Sequence, residues 1–329
     1  MDRRNFGVLT AATLAGMAAT GTVWARHPAR GLDTWLRSFK SFPGTTSFRI
    51  DIDRHELASD SADTQLFVAS AIKTFIVAQY LRDVESGGLS EDEQLPVNDS
   101  VRTTGSPVLL NLTGTTAARS ILEAMITHSD NTATDIALLR VGPDRVRSLI
   151  AAQGLAATLI PHSTRRFFSY NVGAPLGVDI GWSGVQEVLA SGRALGPPHR
   201  PLNNQETLAS SADDLVTYYR QALAGKLFTK PTTLAEFKRI HLTNSFFPED
   251  TVGYGKGGSG DWVADSMVVA DFHALSYAGQ MVVNATPVTF CFVVNWKSTD
   301  PKSTSDDLAP AFSDVINGIM GAIKKLLLR

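Results

Sequence analysis

The sequence predicts an α/β protein in which both ends of the chain build one lobe around a helical insertion. Apolar residues recur at helical spacing over residues 32–39 and alternate over residues 46–52, so a helix and a half-buried strand open the fold. Helical patterns fill the middle of the chain. β-rich segments over residues 267–270, 273–283 and 288–296 then precede a last helix over residues 306–328. We therefore expect an α/β lobe from about residues 27–62 and 205–329 and a helical lobe from about residues 63–204.

The helical middle begins with the most uniformly apolar segment of the chain. Residues 66–81 are apolar at nearly every position, which predicts a helix buried on most faces. Ser70 and Lys73 are its conspicuous polar members. Further helical patterns follow at residues 117–126, 132–139, 143–152 and 184–189. Another helix is expected from Ser211, where Asp214 completes a weak capping box, to about Gly225.

The amino terminus resembles a twin-arginine export signal. Arg3 and Arg4 precede a mildly apolar stretch of small residues that ends in a small-x-small pattern at Ala25. A helix retained in the fold and an uncleaved anchor are the alternatives, although this stretch is weak as a membrane span. We expect residues 1–25 to be a signal peptide and residues 26–329 to be the catalytic domain. That domain would work in the periplasm or outside the cell, without a stable membrane anchor.

Charge and cysteine content exclude several classes of function. The 30 Lys and Arg residues nearly balance 32 Asp and Glu residues, and no basic run is longer than a pair, so no nucleic-acid partner is expected. Cys291 is the single cysteine, so a disulfide within the chain is impossible. Its apolar neighbours indicate a small buried residue rather than a reactive thiol. We expect a monomer that acts on a small-molecule substrate.

Ser70 and Lys73 form the first of three short motifs. The serine hydroxyl and the lysine amine stand at positions i and i+3, which are neighbours on one helical face. The lysine can take the serine proton if it is partly neutral, and apolar surroundings beside other cations lower a lysine pKa in this way. About one such pair occurs by chance in a chain of this length. The alternative is a surface serine and lysine, which the apolar neighbours disfavour.

The second motif is the rarer triplet Ser129, Asp130 and Asn131, which lies after one predicted helix and before another. Its alternative interpretation is structural, because all three residue types are good helix N-caps.

The third motif is the Lys-Gly-Gly-Ser-Gly-Asp string over residues 256–261, near the start of the β-rich end. A strand lysine offers a cation for a substrate carboxylate, and glycines let a ligand lie against the strand.

Together these motifs resemble the active-site set of class A β-lactamases and penicillin-binding proteins, in that family's order and spacing. The longer strings over residues 126–133 and 256–261 also resemble the family's, and the resemblance covers the chain from about Leu32 to the last helix. It implies an antiparallel β-sheet flanked by the N- and C-terminal helices, together with an all-helical subdomain. It implies neither a cofactor nor a metal.

The resemblance implies a role for each matched residue. Ser70 would be the nucleophile, Lys73 the general base for acylation, and Ser129 the residue that relays a proton to the leaving nitrogen.

Substrate binding is implied for the remaining matched positions. Asn131 would hold the substrate's side-chain amide, and Lys256 would attract its carboxylate. Gly258 and Ser259 would line the bound substrate, and the N–H groups of Ser70 and Ser259 would form the oxyanion hole.

The deacylation apparatus departs from the family pattern. Members that hydrolyse the acyl-enzyme quickly carry E-x-x-x-N in an Ω-shaped loop, where the Glu activates a water. Asn171 matches this pattern, but Phe167 stands at the Glu position. Arg165 and Asp179 correspond to the pair that closes the loop. Losing a positioned base costs about 10²–10⁴ in rate, so slow deacylation is expected unless another group, Lys73 or Tyr170, activates the water.

The lysine motif departs at one position. Gly257 replaces a hydroxyl residue and removes one hydrogen bond to a substrate carboxylate, which Ser259 on the same strand face would replace.

Three functions stay open. The first is a β-lactam hydrolase with an altered deacylation route, the second is an esterase or DD-peptidase-like hydrolase on the same scaffold, and the third is a penicillin-binding sensor acylated without turnover.

Other motif matches in the sequence are incomplete. A dinucleotide fingerprint over residues 253–258 lacks the following helix, and residues 181–185 lack the final glycine of a nucleophile elbow. The seven histidines contain no zinc motif, and His128 beside the triplet has no assigned role.

Overall fold

The computed structural model describes residues 30–243, 245–262, 271–300 and 302–329. The predicted signal peptide and the β-rich segment expected at residues 267–270 lie outside the described residues. The helices are α1 (Arg30–Lys40), α2 (Lys73–Glu85), α3 (Ala118–Thr127), α4 (Asn131–Val141), α5 (Pro143–Ala152), α6 (Thr164–Asn171), α7 (Gly181–Ser191), α8 (Ala212–Leu223), α9 (Pro231–His241) and α10 (Ser305–Leu327). The strands are β1 (Thr45–Ile52), β2 (His55–Asp60), β3 (Leu66–Phe67), β4 (Gln94–Val97), β5 (Gly114–Ala117), β6 (Ala209–Ser210), β7 (Leu242–Thr243), β8 (Val252–Trp262), β9 (Phe272–Val283) and β10 (Thr286–Lys297).

The main sheet has six antiparallel strands in the order β2-β1-β10-β9-β8-β7. Residues 288, 290, 292, 294 and 296 of β10 face α1 and α10 in one core, whereas Cys291 and Val293 face the other core. This alternation is the period of a strand buried on both faces. The predicted antiparallel sheet flanked by the N- and C-terminal helices is confirmed.

The second face of the sheet packs against the helical part of the chain. α2 lies at its centre, and Phe75, Ile76 and Val77 on successive sides of that helix are all fully buried. Helices α3, α4, α5 and α9 surround α2, and α8 lies between it and the sheet. The mixed α/β fold class predicted from the sequence is therefore confirmed. None of the described helices combines the length and the apolar character that a membrane span requires.

The long helix predicted over residues 66–81 starts later than expected. Leu66 and Phe67 form the short strand β3, which pairs with β6, and a single 3-10 turn over Ala69–Ile72 separates it from α2. The side chain of Asn295 in β10 pairs with Phe67 as a strand would. Phe67 N–H donates to Asn295 Oδ1 at 2.9 Å, and Asn295 Nδ2 donates to the Phe67 carbonyl at 2.9 Å. An apolar run does not distinguish a buried strand from a buried helix, which is why the prediction failed here.

Replacing Asn295 by leucine should destabilise the protein, because it removes the two hydrogen bonds that Asn295 makes to the buried backbone of Phe67. An unsatisfied buried polar group costs about 1–3 kcal/mol, so the free energy of unfolding should fall by about 2–4 kcal/mol in urea titrations. Asn317→Leu on the exposed face of α10 is the control, and its change should stay within about 0.5 kcal/mol. Equal stability of the two variants would contradict this account.

Candidate active site

The half-buried Ser70 lies on the 3-10 turn that precedes α2. Ala69 before it has a φ of 48°, a left-handed conformation that costs energy in a residue with a side chain. The turn is held from the sheet, because Ser276 Oγ in β9 donates to the Val68 carbonyl at 2.7 Å. The sheet therefore fixes the backbone on which the serine stands.

Lys73 is the first residue of α2, and its side chain is fully buried. Its Nζ donates to the Ser129 carbonyl at 2.6 Å, to Asn131 Oδ1 at 2.7 Å and to Ser129 Oγ at 3.3 Å. Within the described residues, Lys73 Nζ forms no hydrogen bond to Ser70 Oγ. Burial holds the pKa of Lys73 well below its usual range, and the charge of Lys256 lowers it further. The amine therefore tends toward its neutral, proton-accepting form.

The Ser-Asp-Asn turn serves both as a helix cap and as part of the site. Asp130 caps α4 by accepting the Ala133 N–H at 2.8 Å, as the structural interpretation expects. Ser129 and Asn131 on either side direct their oxygen atoms at Lys73. Asn131 Nδ2 donates to the Thr104 carbonyl at 3.0 Å, which fixes the amide. Ser129 adopts a φ of 56°, so the turn is strained at the residue that contacts both lysines.

Lys256 on β8 approaches the same hydroxyl from the sheet. Its Nζ donates to Ser129 Oγ at 3.1 Å and to the Gly257 carbonyl at 2.6 Å. The side chain is buried, and burial lowers the pKa of Lys256 to about 7. Ser129 Oγ therefore bridges two buried amines, one from α2 and one from β8.

Gly258 allows β8 to pass close to the 3-10 turn that carries Ser70. A Cβ atom at this position would lie 2.3 Å from the Val68 carbonyl oxygen and 2.7 Å from Ser70 N. At Gly257 a Cβ atom would meet its nearest neighbour, a Tyr277 ring carbon, at an ordinary 3.4 Å. The family resemblance implies that Gly258 is a substrate-binding position. The structure gives it a further task, which is to bring β8 and its neighbour Ser259 beside Ser70.

The segment with the family's E-x-x-x-N spacing forms the helix α6. Arg165 pairs with Asp179 at 2.7 Å, and its guanidinium also donates to three backbone carbonyls of residues 99–102. Phe167 is buried and stacks on Phe67, with ring centroids 5.6 Å apart. Asn171 Nδ2 donates to the Phe167 carbonyl at 2.6 Å. Asn171 Oδ1 is buried without a hydrogen-bond partner among the described residues.

Asp135 is a site-supporting residue that the sequence analysis missed. This buried carboxylate on α4 accepts the N–H of Thr164 at 2.5 Å, the hydroxyl of Thr164 at 2.8 Å and the N–H of Arg165 at 3.0 Å. It therefore holds the first turn of α6. Burial raises the pKa of Asp135 to about 6, although these donors oppose the shift. Asp135 lies one helical turn after Asn131 on α4, and this spacing was the sequence feature that could have indicated its role.

Residues 193–206, which connect α7 to β6, form a strap over α6. The strap residue His199 stacks on Tyr170 at 3.9 Å between ring centroids and donates its N–H to the Asn171 carbonyl at 3.1 Å. Glu206 pairs with Arg166 at 2.7 Å. The strap holds the outer side of α6. Its residues show no helical or strand periodicity, so this role could not be predicted from the sequence.

The predicted residues converge on one cavity. Ser70, Asn131, Phe167, Asn171 and Ser259 all line a cavity of about 290 Å³ between α6 and β8. Lys73, Ser129 and Lys256 are joined to one another beside it by the hydrogen bonds described above.

Comparison with known proteins gives one family and one fold. A sequence model of the beta-lactamase enzyme family matches residues 29–243. No curated protein sequence matches the chain. The structure of PBP-A is 17% identical with a TM-score of 0.63 and covers 90% of this chain and 97% of its own. A PBP-A mutant described as an acyl-enzyme complex with penicillin G gives the same values.

Two solved β-lactamase structures are similarly close. A β-lactamase from Sphaerobacter thermophilus is 17% identical, with a TM-score of 0.64, and covers 89% of this chain and 95% of its own. The TLA-3 extended-spectrum β-lactamase is 16% identical, with a TM-score of 0.67, and covers 92% of this chain and 100% of its own. At these identities the structural similarities establish the fold alone.

Gly258→Ala should force β8 away from the turn that carries Ser70, since the new Cβ overlaps backbone atoms. Such overpacking costs about 1–3 kcal/mol, so the free energy of unfolding should fall by that amount. Amide hydrogen exchange at Ser70 should rise as well. The matched control is Gly257→Ala, for which both quantities should stay near the original values. An unchanged Gly258→Ala protein would show that the close approach of β8 is unnecessary.

Proposed function

Because the chain belongs to the beta-lactamase enzyme family, we propose that this serine β-lactamase-like hydrolase opens β-lactam rings through an acyl-enzyme on Ser70. The observation that carries the proposal is the hydroxyl of Ser129 shared between the buried amines of Lys73 and Lys256. A serine beside such a pair has a neutral amine available as base and a hydroxyl available as proton relay. The twin-arginine pattern at Arg3 and Arg4 supports activity outside the cytoplasm.

Acylation follows from the chemistry of these groups. The neutral Lys73 amine accepts the Ser70 proton while the serine oxygen bonds to the lactam carbonyl carbon. The ring C–N bond then breaks, and the nitrogen takes a proton through Ser129 Oγ. The N–H groups of Ser70 and Ser259 stabilise the oxyanion, since both residues line the same cavity wall. Protonated Lys256 attracts the substrate carboxylate.

Deacylation in this chain lacks the acid of efficient family members. The buried ring of Phe167 stacks on Phe67 where that acid would stand. Asn171 Oδ1 can accept a hydrogen bond from a water, but an amide does not take its proton. We propose that the acyl-enzyme is long-lived and that Lys73 is the base for its slow hydrolysis.

The absence of an acid at residue 167 favours one further function, a penicillin-binding sensor acylated once without turnover. The PBP-A mutant whose penicillin G complex is an acyl-enzyme has the same fold. An esterase or DD-peptidase-like activity on this scaffold would use the same serine and the same two amines.

Intact mass spectrometry of the protein mixed with benzylpenicillin tests these functions. A penicillin-sized adduct that persists, and that Ser70→Ala abolishes, supports slow hydrolysis or the sensor function. Many turnovers of opened penicillin without an adduct would overturn slow deacylation but retain the hydrolase. If neither adduct nor opened ring appears, the β-lactam proposal is wrong and the esterase or peptidase function is favoured.

Phe167→Glu should shorten the lifetime of the acyl-enzyme, because it supplies the missing general base beside the cavity. A positioned base contributes about 10²–10⁴ in rate, so deacylation should accelerate by at least about 10². Phe167→Leu is the control, since it changes the ring without adding an acid. Equal lifetimes in the two variants would show that loss of the acid is not what slows the reaction.

The pH dependence of acylation should follow the two lysines. The rate should rise with pH as Lys73 loses its proton, at a pH well below the usual lysine range. It should fall above about pH 7 for a penicillin, because Lys256, with a pKa of about 7, then loses the charge that attracts the carboxylate. An acyl donor without a carboxylate, such as a p-nitrophenyl ester, should show the rise but not the fall. A fall with both donors would contradict the role of Lys256.

A further inference from the structure

The cavity beside Ser70 has an apolar wall that the acylation chemistry does not require. Besides Ala69, five larger apolar side chains contribute to it: Phe67, Phe167, Phe168, Val172 and Leu208. Phe67 lies at the end of β3, the next three belong to or follow α6, and Leu208 precedes β6. All of them except the half-buried Phe168 are buried. An occupant of this cavity therefore replaces water against a wall that is mostly hydrocarbon.

The volume of the cavity fits an aromatic ring with its connecting atoms. It measures about 290 Å³. An apolar protein cavity of about 150 Å³ is enough to bind benzene, so the additional volume accommodates the atoms that join a ring to the acyl carbonyl. Ser70 lies in the lining, so a group attached to the carbonyl that it attacks extends directly into this space.

The polar lining offers no free charge to an occupant. Asp261 is the single ionisable carboxylate or amine among the described lining residues, and its oxygens are already engaged. Its Oδ1 accepts from His273 Nδ1 and from the Ser305 N–H, both at 2.7 Å, and its Oδ2 accepts from the Ser305 hydroxyl at 2.6 Å. The hydroxyl of Thr164, another lining residue, donates to Asp135. Because these hydrogen bonds are made to neighbouring parts of the protein, the oxygens of Asp261 and the hydroxyl hydrogen of Thr164 are already paired.

One acceptor remains unsatisfied in the lining. Asn171 Oδ1 is buried and unpartnered among the described residues, so it favours an occupant or a water that donates a hydrogen bond. A carboxylate only accepts hydrogen bonds, so it would meet this oxygen without compensation. Burying such a charge in the cavity without a cation is costly.

We infer that the cavity between α6 and β8 selects acyl donors whose acyl group ends in an uncharged aromatic ring and rejects those that carry a carboxylate there. The inference rests on the proposed Ser70 acylation and specifies its substrate class. Phe167 contributes to this selectivity by adding its ring to the apolar wall in place of a charged side chain.

Three penicillins that share one bicyclic nucleus test the inference. 6-Aminopenicillanic acid has no acyl group, benzylpenicillin has a neutral aromatic one, and carbenicillin adds a carboxylate beside the ring. The rate of Ser70 acylation is followed by intact mass spectrometry. Benzylpenicillin should acylate at least about tenfold faster than either of the others, since burying one ring is worth more than a tenfold change in affinity.

Variants of the apolar wall test whether the cavity causes the difference in acylation rates. Phe168→Ala should reduce the ratio of the benzylpenicillin rate to the 6-aminopenicillanic acid rate severalfold, and this ratio is independent of the fraction of protein that is folded. Leu176→Ala, an exposed residue of the same segment outside the cavity lining, is the matched control and should keep the original ratio.

The outcomes separate this inference from the proposed function. Labelling of Ser70 by all three penicillins at similar rates, or fastest by carbenicillin, would overturn the selectivity and leave the acyl-enzyme intact. A ratio that Phe168→Ala leaves unchanged would also overturn it. Absence of any labelling would overturn the proposed function and this inference together.

Discussion

The site depends on the burial of two lysine amines around one hydroxyl. Lys73 and Lys256 are almost completely excluded from solvent, and within the described residues neither forms a salt bridge. Burying two unpaired ammonium groups side by side is prohibitively costly, so the arrangement is stable when at least one amine is neutral. Both amines donate to Ser129 Oγ, which keeps them together. The base, the proton relay and the substrate-binding cation of the proposed function all depend on this single constraint.

The two lysines come from different parts of the fold. Lys73 comes from the central helix α2, whereas Lys256 comes from β8 of the sheet, so the hydroxyl between them lies where the helical part of the chain meets the sheet. The backbone is strained on the helical side, at Ala69 and Ser129, which both have positive φ. The contacts of Gly258 and Asn295 hold the strained turn that carries Ser70 against the sheet. This is how packing elsewhere maintains a costly local geometry at a reactive residue.

Periodicity predicted the elements that are buried in a regular way, and local contacts decided the rest. β9 and β10 were predicted as β-rich segments and α10 as the last helix, because each strand is buried on both faces and the helix packs against the sheet. The apolar run at residues 66–81 concealed a strand, a turn and a helix, since the Asn295 side chain that pairs with Phe67 is distant in sequence. Motif spacing identified the residues now found around Ser129. It did not reveal Asp135 or the strap, which act through backbone contacts that no short motif encodes.

Phe167 lies on the helix α6, which other parts of the chain hold in place. Arg165 still pairs with Asp179, Asp135 still holds the first turn of α6, and the strap covers its outer side. With a phenyl ring at residue 167, this helix contributes an apolar wall to the cavity beside Ser70. Under the proposed function, the one side chain at residue 167 therefore accounts both for the proposed slow release of the acyl group and for the proposed selectivity of the cavity.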